Sequence, residues 1–333
     1  MRSYLVKRIL LIVPTVIGIT FITYVIIRLA PGDYTTLRMG MEGALKTGSI
    51  SKEILEQERK LYGLDKNWVV GYAEWLWNFA RLDLGISRKD GRPVSQRLAE
   101  ALPVTLTLNV ISMIIIYIVS IPIGILSAVR RDSAFDRWSG LVLFVLYSLP
   151  SFWVGLLLLL YLGSGEYLDL FPLGGLFSDV TAESGLFVKF IDVCWHLVLP
   201  VATLTYGGFA FLARYTRANM LEVINQQYIM TARAKGLSEK KVVFVHAFRN
   251  SLIPLITLMA TLLPGLLGGS VIVESIFSIP GMGLLAFEAI LNRDIPVIMA
   301  IETIAALLTL SGILLADMAY AIVDPRIRLE ARI

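Results

Sequence analysis

Few residues in this 333-residue chain have the types and spacing for chemistry. Cys194 and His196 form a C-x-H pair, and His246 is the only other histidine. A zinc site needs three or four such ligands, so a buried thiol beside an interfacial imidazole is the plain reading and no metal site is expected. The sequence contains no HExxH, no GxSxG and no GxxxxGK[ST] phosphate loop, so no catalytic residue is assigned and any nucleotide must be bound by another polypeptide. Two acids, Glu302 and Asp317, lie in an apolar run. An ionisable group inside a membrane span costs about 2.5–3.5 kcal/mol on insertion scales and usually faces a bundle interior or water. Both are therefore candidates for lining a path, with an interfacial place for Glu302 and a salt bridge or cap for Asp317 as alternatives. The third feature is a basic stretch, TARAKGLSEKK, from Thr231 to Lys241, whose chemistry is contact with a partner.

The elements that must position these residues are membrane helices. Apolar residues make up 56% of the chain and charged ones 17%, against about 25% charged in soluble domains, which excludes a soluble enzyme. Runs of about 20 apolar residues, the length that crosses a bilayer, occur at Ile9–Leu29, Val104–Val129, Leu141–Leu162, Val193–Ala213, Leu252–Ile272 and Val297–Val323. The sequence thus predicts an all-α polytopic protein with six transmembrane helices. Short-loop Lys and Arg collect on one side: Arg2, Lys7 and Arg8, then Arg130, Arg131 and Arg137, then the loop that holds Arg233 and Lys235, then Arg326, Arg328 and Arg332. That bias puts both termini in the cytoplasm. The long segment between the first two spans is then external, a helical cap. The first span ends in Arg28-Leu29-Ala30-Pro31-Gly32-Asp33 rather than in a small-residue cleavage site, so it reads as a retained signal anchor.

In the cap, Ser51 and Gly63 bound an amphipathic helix over Lys52–Tyr62, after a flexible stretch from Gly40 to Gly48. A second helix is predicted from Asn67 to Arg81, with Trp68, Tyr72, Trp75, Leu76 and Phe79 on one stripe. Its three tryptophans, Trp68, Trp75 and Trp77, suit the membrane interface. The cap either packs on its own span ends or meets an external partner. In the basic loop, Ala232–Lys235 read as the end of a short helix closed by Gly236, and Ser238 as the N-cap of a second helix with Glu239 in its first turn. That outline also fits a helix-turn-helix, but both ends are tethered to the bilayer, so no nucleic-acid partner is expected. In the fifth run, Gly265, Gly268, Gly269 and Ser270 include a small-xxx-small step from Gly265 to Gly269. Such a face packs two helices closely or leaves room beside a pore.

These residues resemble the permease subunits of bacterial binding-protein-dependent ABC importers. Aligned on Gly236, the loop is similar to the family's EAA loop, with Met230-Thr231-Ala232 at the Glu-Ala-Ala positions. The stretch TARAKGLSEKK…HAFRNSLIP looks like the variant of the dipeptide, oligopeptide and nickel branch. That resemblance runs over nearly the whole chain through Tyr62-Gly63-Leu64-Asp65-Lys66, Asp83-Leu84-Gly85-Ile86-Ser87, Ser148-Leu149-Pro150-Ser151-Phe152-Trp153, Phe171-Pro172-Leu173-Gly174-Gly175, VESIFSIPGMGLL from Val273 to Leu285, and Arg293-Asp294-Ile295-Pro296.

The resemblance implies one permease of an ATP-driven importer in the bacterial or archaeal cytoplasmic membrane, moving dipeptides or oligopeptides. Its partners would be a second homologous permease, two cytoplasmic ATPase subunits, an external solute-binding protein and membrane lipid. No cofactor is expected on this chain; ATP and Mg would sit on the ATPase subunits. By the same resemblance Thr231, Ala232, Arg233, Ala234, Lys235, Gly236, Leu237 and Ser238 form the coupling helix that docks on an ATPase subunit. Gly265, Gly268, Gly269, Ser270, Glu302 and Asp317 are candidates for the translocation path. Glu274, Phe277, Pro280, Gly281 and Gly283 are candidates for an external gate or a seat for the binding protein, with a plain surface turn as the alternative. The domains read as an anchor span (1–30), the cap (31–103) and a five-span core (104–333) carrying the coupling loop at 214–251. Nickel or oligosaccharide cargo belongs to the same family, and an ion-coupled secondary transporter is the reading of another class.

Overall fold

The computed structural model describes residues 2–29, 67–163, 167–178, 185–262 and 269–323. In chain order they form α1 (Arg2–Leu29), α2 (Trp68–Ala80), α3 (Val94–Val129), α4 (Ala134–Ser148), α5 (Ser151–Leu162), α6 (Leu186–Ile224), α7 (Gln227–Ala234) and α8 (Glu239–Lys241). A π turn at Val242–Ala247 leads from α8 into α9 (Phe248–Leu262), followed by α10 (Val271–Ile276), α11 (Met282–Leu291) and α12 (Ile295–Val323). Among the described residues there is no strand, only an isolated bridge between Ile86 and Pro93, so the fold is all-α.

Four helices among the described residues are long and apolar enough to cross a membrane, α1, α3, α6 and α12, and a fifth span exists if the pair α4 and α5 is counted as one. The expected third span is not a continuous helix, because α4 and α5 meet at a bend of 94°. The physical cause is Pro150: its ring pushes the preceding residue out of the helical region, and Leu149 is extended at φ −85°, ψ 130°. The fifth expected span, Leu252–Ile272, crosses residues 263–268, which lie outside the described residues, as does the cap helix expected at Lys52–Tyr62. Its last two residues, Val271 and Ile272, open the separate helix α10.

The chain divides into two compact units, residues 1–102 with 285–310 and residues 103–284 with 311–333. In the first, α2 presents most of the stripe its sequence predicts, although Trp68 at the start of that stripe is exposed. Tyr72 is buried and Trp75, Leu76 and Phe79 are half-buried, while Trp77 faces out. Asn67 caps the helix by accepting from the Val69 N–H at 3.0 Å. Tyr72 donates to the Ile17 carbonyl at 3.0 Å and touches the Phe21 and Tyr24 rings, so α2 is stitched to α1. Gly71 is needed there, since a Cβ would strike the Tyr24 hydroxyl. Arg28, whose guanidinium donates to that hydroxyl at 3.1 Å, is held by α1 itself.

The same unit joins two of the sequence motifs. Asp294, fully buried, accepts from the Ser87 hydroxyl at 2.5 Å and from the Arg88 and Lys89 N–H groups at 3.0 and 3.4 Å. Arg97 lies 3.8 Å from it, and Lys89 pairs with Glu288 at 2.7 Å. In the second unit, Leu108, Leu197, Leu199, Val201, Val273, Phe277 and Ile279 form a core between α3, α6 and α10. Replacing Asp294 with Ala would strand a hydroxyl and two backbone donors away from water, at about 1–3 kcal/mol for each group that finds no substitute. The expected outcome is a lower apparent Tm of the purified protein and faster tryptic cleavage after Arg88 and Lys89, with Asp294→Asn falling between; unchanged cleavage would show that the joint is not held by this carboxylate.

Candidate functional site

The basic loop begins where α6 ends at Ile224, with Asn225 and Gln226 turning the chain into α7. Helix α7 is longer than Ala232–Lys235 alone, starting at Gln227, and its 3.6-residue periodicity turns Ile229 and Ala232 inward. They pack with Ile125 and Ala128 of α3, Met220 of α6 and Val242, Val243 and Ala247 of the π turn. The expected glycine stop is present. Gly236 takes φ +76°, its N–H bonds to the Arg233 carbonyl at 2.9 Å, and the Leu237 N–H reaches the Ala232 carbonyl at 3.4 Å. This is a Schellman closure, including the apolar contact that accompanies it, since Leu237 packs on the same core.

Ser238 stands at the N-cap of α8 but its side chain makes no capping bond. The first-turn acid does other work: Glu239 receives Arg233 in a two-pronged pair, Nη2 to Oε1 at 2.6 Å and Nε to Oε2 at 3.2 Å. Hydrogen bonding from Arg233 holds the Glu239 carboxyl below its ordinary value and pushes the guanidinium above its own. Arg233 is thus engaged within the loop, whereas Lys235 has no ion pair among the described residues and is exposed. Asn250 donates to the Tyr228 hydroxyl at 2.8 Å, tying the start of α7 to α9. Thr231, Ala234, Lys235 and Gly236 all face outward, together with Tyr228, Met230, Phe244 and Val245, whose exposures of 42–58% are high for such apolar groups.

A further device at this end was missed by sequence reasoning. Arg217 of α6 makes a bidentate pair with Asp136 of α4, Nε to Oδ1 and Nη2 to Oδ2 both at 2.7 Å. Asp136 is buried and also accepts from the Asp132 N–H at 3.1 Å. Arg217 keeps 35% of its side-chain surface in solvent, so cutting the pair costs less than the roughly 3–5 kcal/mol of a fully buried one. The signal was there: Asp136 is an acid three residues after the capping serine Ser133, on the first turn of an apolar helix.

The gate candidates form a different site, built around Glu274 of α10. Its Oε1 accepts from the Thr105 hydroxyl at 3.0 Å and the Ser270 N–H at 3.2 Å, and its Oε2 from the Leu284 N–H at 2.8 Å. Thr105 in turn accepts from the Met282 N–H at 2.8 Å. Phe277, Gly281 and Gly283 are buried and only Pro280 is exposed, so most of the set is interior scaffolding rather than surface. Gly269 and Ser270, named for the path, belong to this turn. Gly269 sits at φ +67° with the Glu274 carboxyl where its Cβ would be, and Ser270 caps α10. A residue at that φ is outside the helical region, so Gly269 does not continue a helical face from Gly265. Gly265 and Gly268 lie outside the described residues, as does the Asp317 side chain, while Glu302 is exposed on α12.

Residues 120–329 match the family described as binding-protein-dependent transport system inner membrane component. The chain belongs to that family. It is a multi-pass protein of the bacterial inner membrane, a transport permease component whose family works with an ATPase and a solute-binding protein. The chain is 42% identical over 328 residues to the oligopeptide transport system permease protein AppB of Bacillus subtilis, covering 98% of this chain and 99% of the relative. It is 36% identical to the dipeptide transport system permease protein DppB of Escherichia coli K12, covering 98% and 99%. It is 34% identical over the full length of both to the peptidoglycan transport system permease protein YejB of Agrobacterium fabrum. An inward-facing MetNI methionine ABC transporter chain superposes with a TM-score of 0.54 at 17% identity, covering 69% of this chain and 97% of that one, which is a likeness of fold.

Because Glu239 is held low by Arg233, this pair supports the loop at pH above the ordinary 4.5 of the carboxyl, and the support fades as pH falls below it. Protection factors in the α7–α8 turn, corrected for the intrinsic exchange rate at each pH, are expected to fall below that pH in the wild type and to be already low at neutral pH in Glu239→Gln. Equal exchange in the two proteins at pH 7 would remove the pair from the account.

Proposed function

We propose that this chain is the permease subunit through which an ATP-driven importer moves dipeptides or oligopeptides delivered by an external binding protein. The observation that carries the reading is the build of α7 and its turn: an inner face anchored to α3, α6 and the π turn, and an outer face of small, apolar and basic groups with no covering among the described residues. An apolar face of this kind marks a protein contact, and its rigid seat lets a push on α7 travel into α3 and α6 as one body. The peptide cargo is supported by the names of the relatives, oligopeptide and dipeptide permeases that align end to end with this chain.

In this reading the basic loop is cytoplasmic, both termini are cytoplasmic, and the segment between α1 and α3 is external. The partners are a second permease, two ATPase subunits that bind ATP and Mg, and the binding protein. This chain itself hydrolyses nothing. Closure of the ATPase pair moves α7, and the ion pair between Asp136 and Arg217 passes that motion from α6 to α4, whose joint with α5 at Pro150 is the bend available to change.

The test is co-purification from native membranes on a tag carried by this chain, with Gly236→Asp and Ala234→Glu beside the wild type, followed by peptide-stimulated ATPase assay. Both substitutions put a carboxylate on the outer face, and Gly236→Asp also strains a position at φ +76°. Two ATPase subunits and a second permease are expected with the wild type, and at least a tenfold loss of peptide-stimulated hydrolysis with the variants. A chain that emerges alone and carries cargo without ATP would make this an ion-coupled carrier instead.

A further inference from the structure

Within the first unit, α2 is apolar over more of its surface than its neighbours cover. At about 100° per residue, Val69, Ala80, Ala73, Trp77 and Val70 follow one another around an arc of about 100° beside the buried stripe, and all five are exposed. Glu74, Asn78 and Arg81 occupy a narrower polar arc next to it. The contacts of α2 fix its depth. The Tyr72 hydroxyl reaches the Ile17 carbonyl, the Trp68 ring lies 5.8 Å from the Phe21 ring, and Gly71 backs onto the Tyr24 hydroxyl and the Arg28 guanidinium. Those α1 residues run from the middle of the span-length segment Lys7–Leu29 to its end. Helix α2 therefore lies alongside the span rather than beyond it, at a depth where an uncovered apolar arc meets hydrocarbon or protein.

Charge and continuity select between the two. The Arg81 guanidinium sits 4.5 Å from the centre of the Trp77 ring, is exposed and makes no ion pair among the described residues. A phosphate is the complement of such a group, and tryptophan beside arginine suits the boundary between acyl chains and headgroups. The same stretch of α1 is itself uncovered at Ile22 and Ile26, so the apolar arc of α2 continues the surface of a membrane span. A helix–helix contact inside a bilayer favours small residues that let backbones approach, whereas the largest group on this arc is an indole that is 60% exposed. We propose that α2 docks on phospholipid: the Val69, Ala73 and Trp77 arc rests in the acyl chains of the leaflet at the C-terminal end of α1, and Arg81 holds a headgroup phosphate beside Trp77. Of the three tryptophans that the sequence suits to the membrane interface, Trp77 is then the anchor, because Trp75 packs inward with Tyr24 and Tyr72. The helix satisfies its own backbone at that depth, and Asn67 caps its start. The inference rests on the membrane placement of α1 and on no assignment of cargo.

The test is spin-label accessibility along α2, measured on the full chain in the complex it purifies with, in liposomes of phosphatidylethanolamine and phosphatidylglycerol. In a cysteine-free background that includes Cys194→Ser, a nitroxide is attached in turn to Ala73→Cys, Trp77→Cys, Asn78→Cys, Ala80→Cys and Arg81→Cys. Its collisions with oxygen, which concentrates in hydrocarbon, are compared with those of a neutral water-soluble nickel chelate. The logarithm of the oxygen-to-nickel ratio is expected to be positive at 73, 77 and 80, negative at 78 and near zero at 81, the headgroup level. Ala73→Cys and Ala80→Cys change small exposed side chains, so these two positions decide the matter if Trp77→Cys lowers the Tm. A ratio that favours nickel at 73 and 80 puts water on the arc and overturns the inference. Low accessibility to both reagents there puts protein on it, a second subunit or another part of this chain, and overturns it equally.

Discussion

A carboxyl group with 1% of its surface exposed must be answered by donors from the protein itself, and Glu274 sets that condition for the second unit. Three donors meet it, one from α3 and two from the backbone on either side of α10. The backbone can come that close only where side chains are absent. A Cβ on Gly269, Gly281 or Gly283 would run into the Glu274 carboxyl at 2.5–3.0 Å. The run from Gly269 to Gly283 is therefore a wrapping of chain about one buried acid, and its glycines follow from the acid's need for backbone N–H groups.

The same logic explains the other short motifs, which turn out to be halves of joints. The Gly174-Gly175 pair meets α10 where the Gly175 N–H bonds to the Phe277 carbonyl at 2.9 Å, and Gly174 has no room for a Cβ against that carbonyl. The Pro150 corner is held by the Tyr206 hydroxyl, which donates to the Leu149 carbonyl at 2.7 Å. In the first unit, the Asp83–Ser87 turn and the Arg293–Pro296 turn are two sides of the Asp294 contact. Irregular chain at the ends of apolar helices has polar groups to satisfy and little water to satisfy them. The residues that do so are fixed in type and spacing, and for that reason they read as motifs.

The basic loop differs from these joints in facing both ways. Its inner side, Ile229, Ala232 and Leu237, is bound into a core with α3 and α6. Its outer side keeps Lys235 and the half-exposed Tyr228 and Met230. The π turn at Val242–Ala247 carries Val242, Val243 and Ala247 inward. The loop is consequently a rigid pad rather than a flexible connector, the property that a mechanical link requires.

Read alone, the sequence settled what depends on composition and local geometry. Apolar run length fixed the membrane class, helical periodicity fixed most of the inward stripe of α2, and a glycine, which takes a positive φ without steric cost, fixed the end of α7. Tertiary structure decided what depends on partners distant in the chain. Glu274 read as a surface acid because nothing near it in sequence names Thr105 as its partner. Gly269 read as part of a small-residue helix face, for packing or beside a pore, because the turn that displaces it is imposed by that same carboxyl. Arg233 read as a contact for another subunit, and its pairing with a residue six positions on was not legible beside that. The pairing of Asp136 with Arg217 joins residues 81 positions apart, and no periodicity encodes a distance of that kind. Local rules determine which segments are helices, while the desolvation of each polar group determines where the helices meet, and that cost is known only once the chain has closed around it.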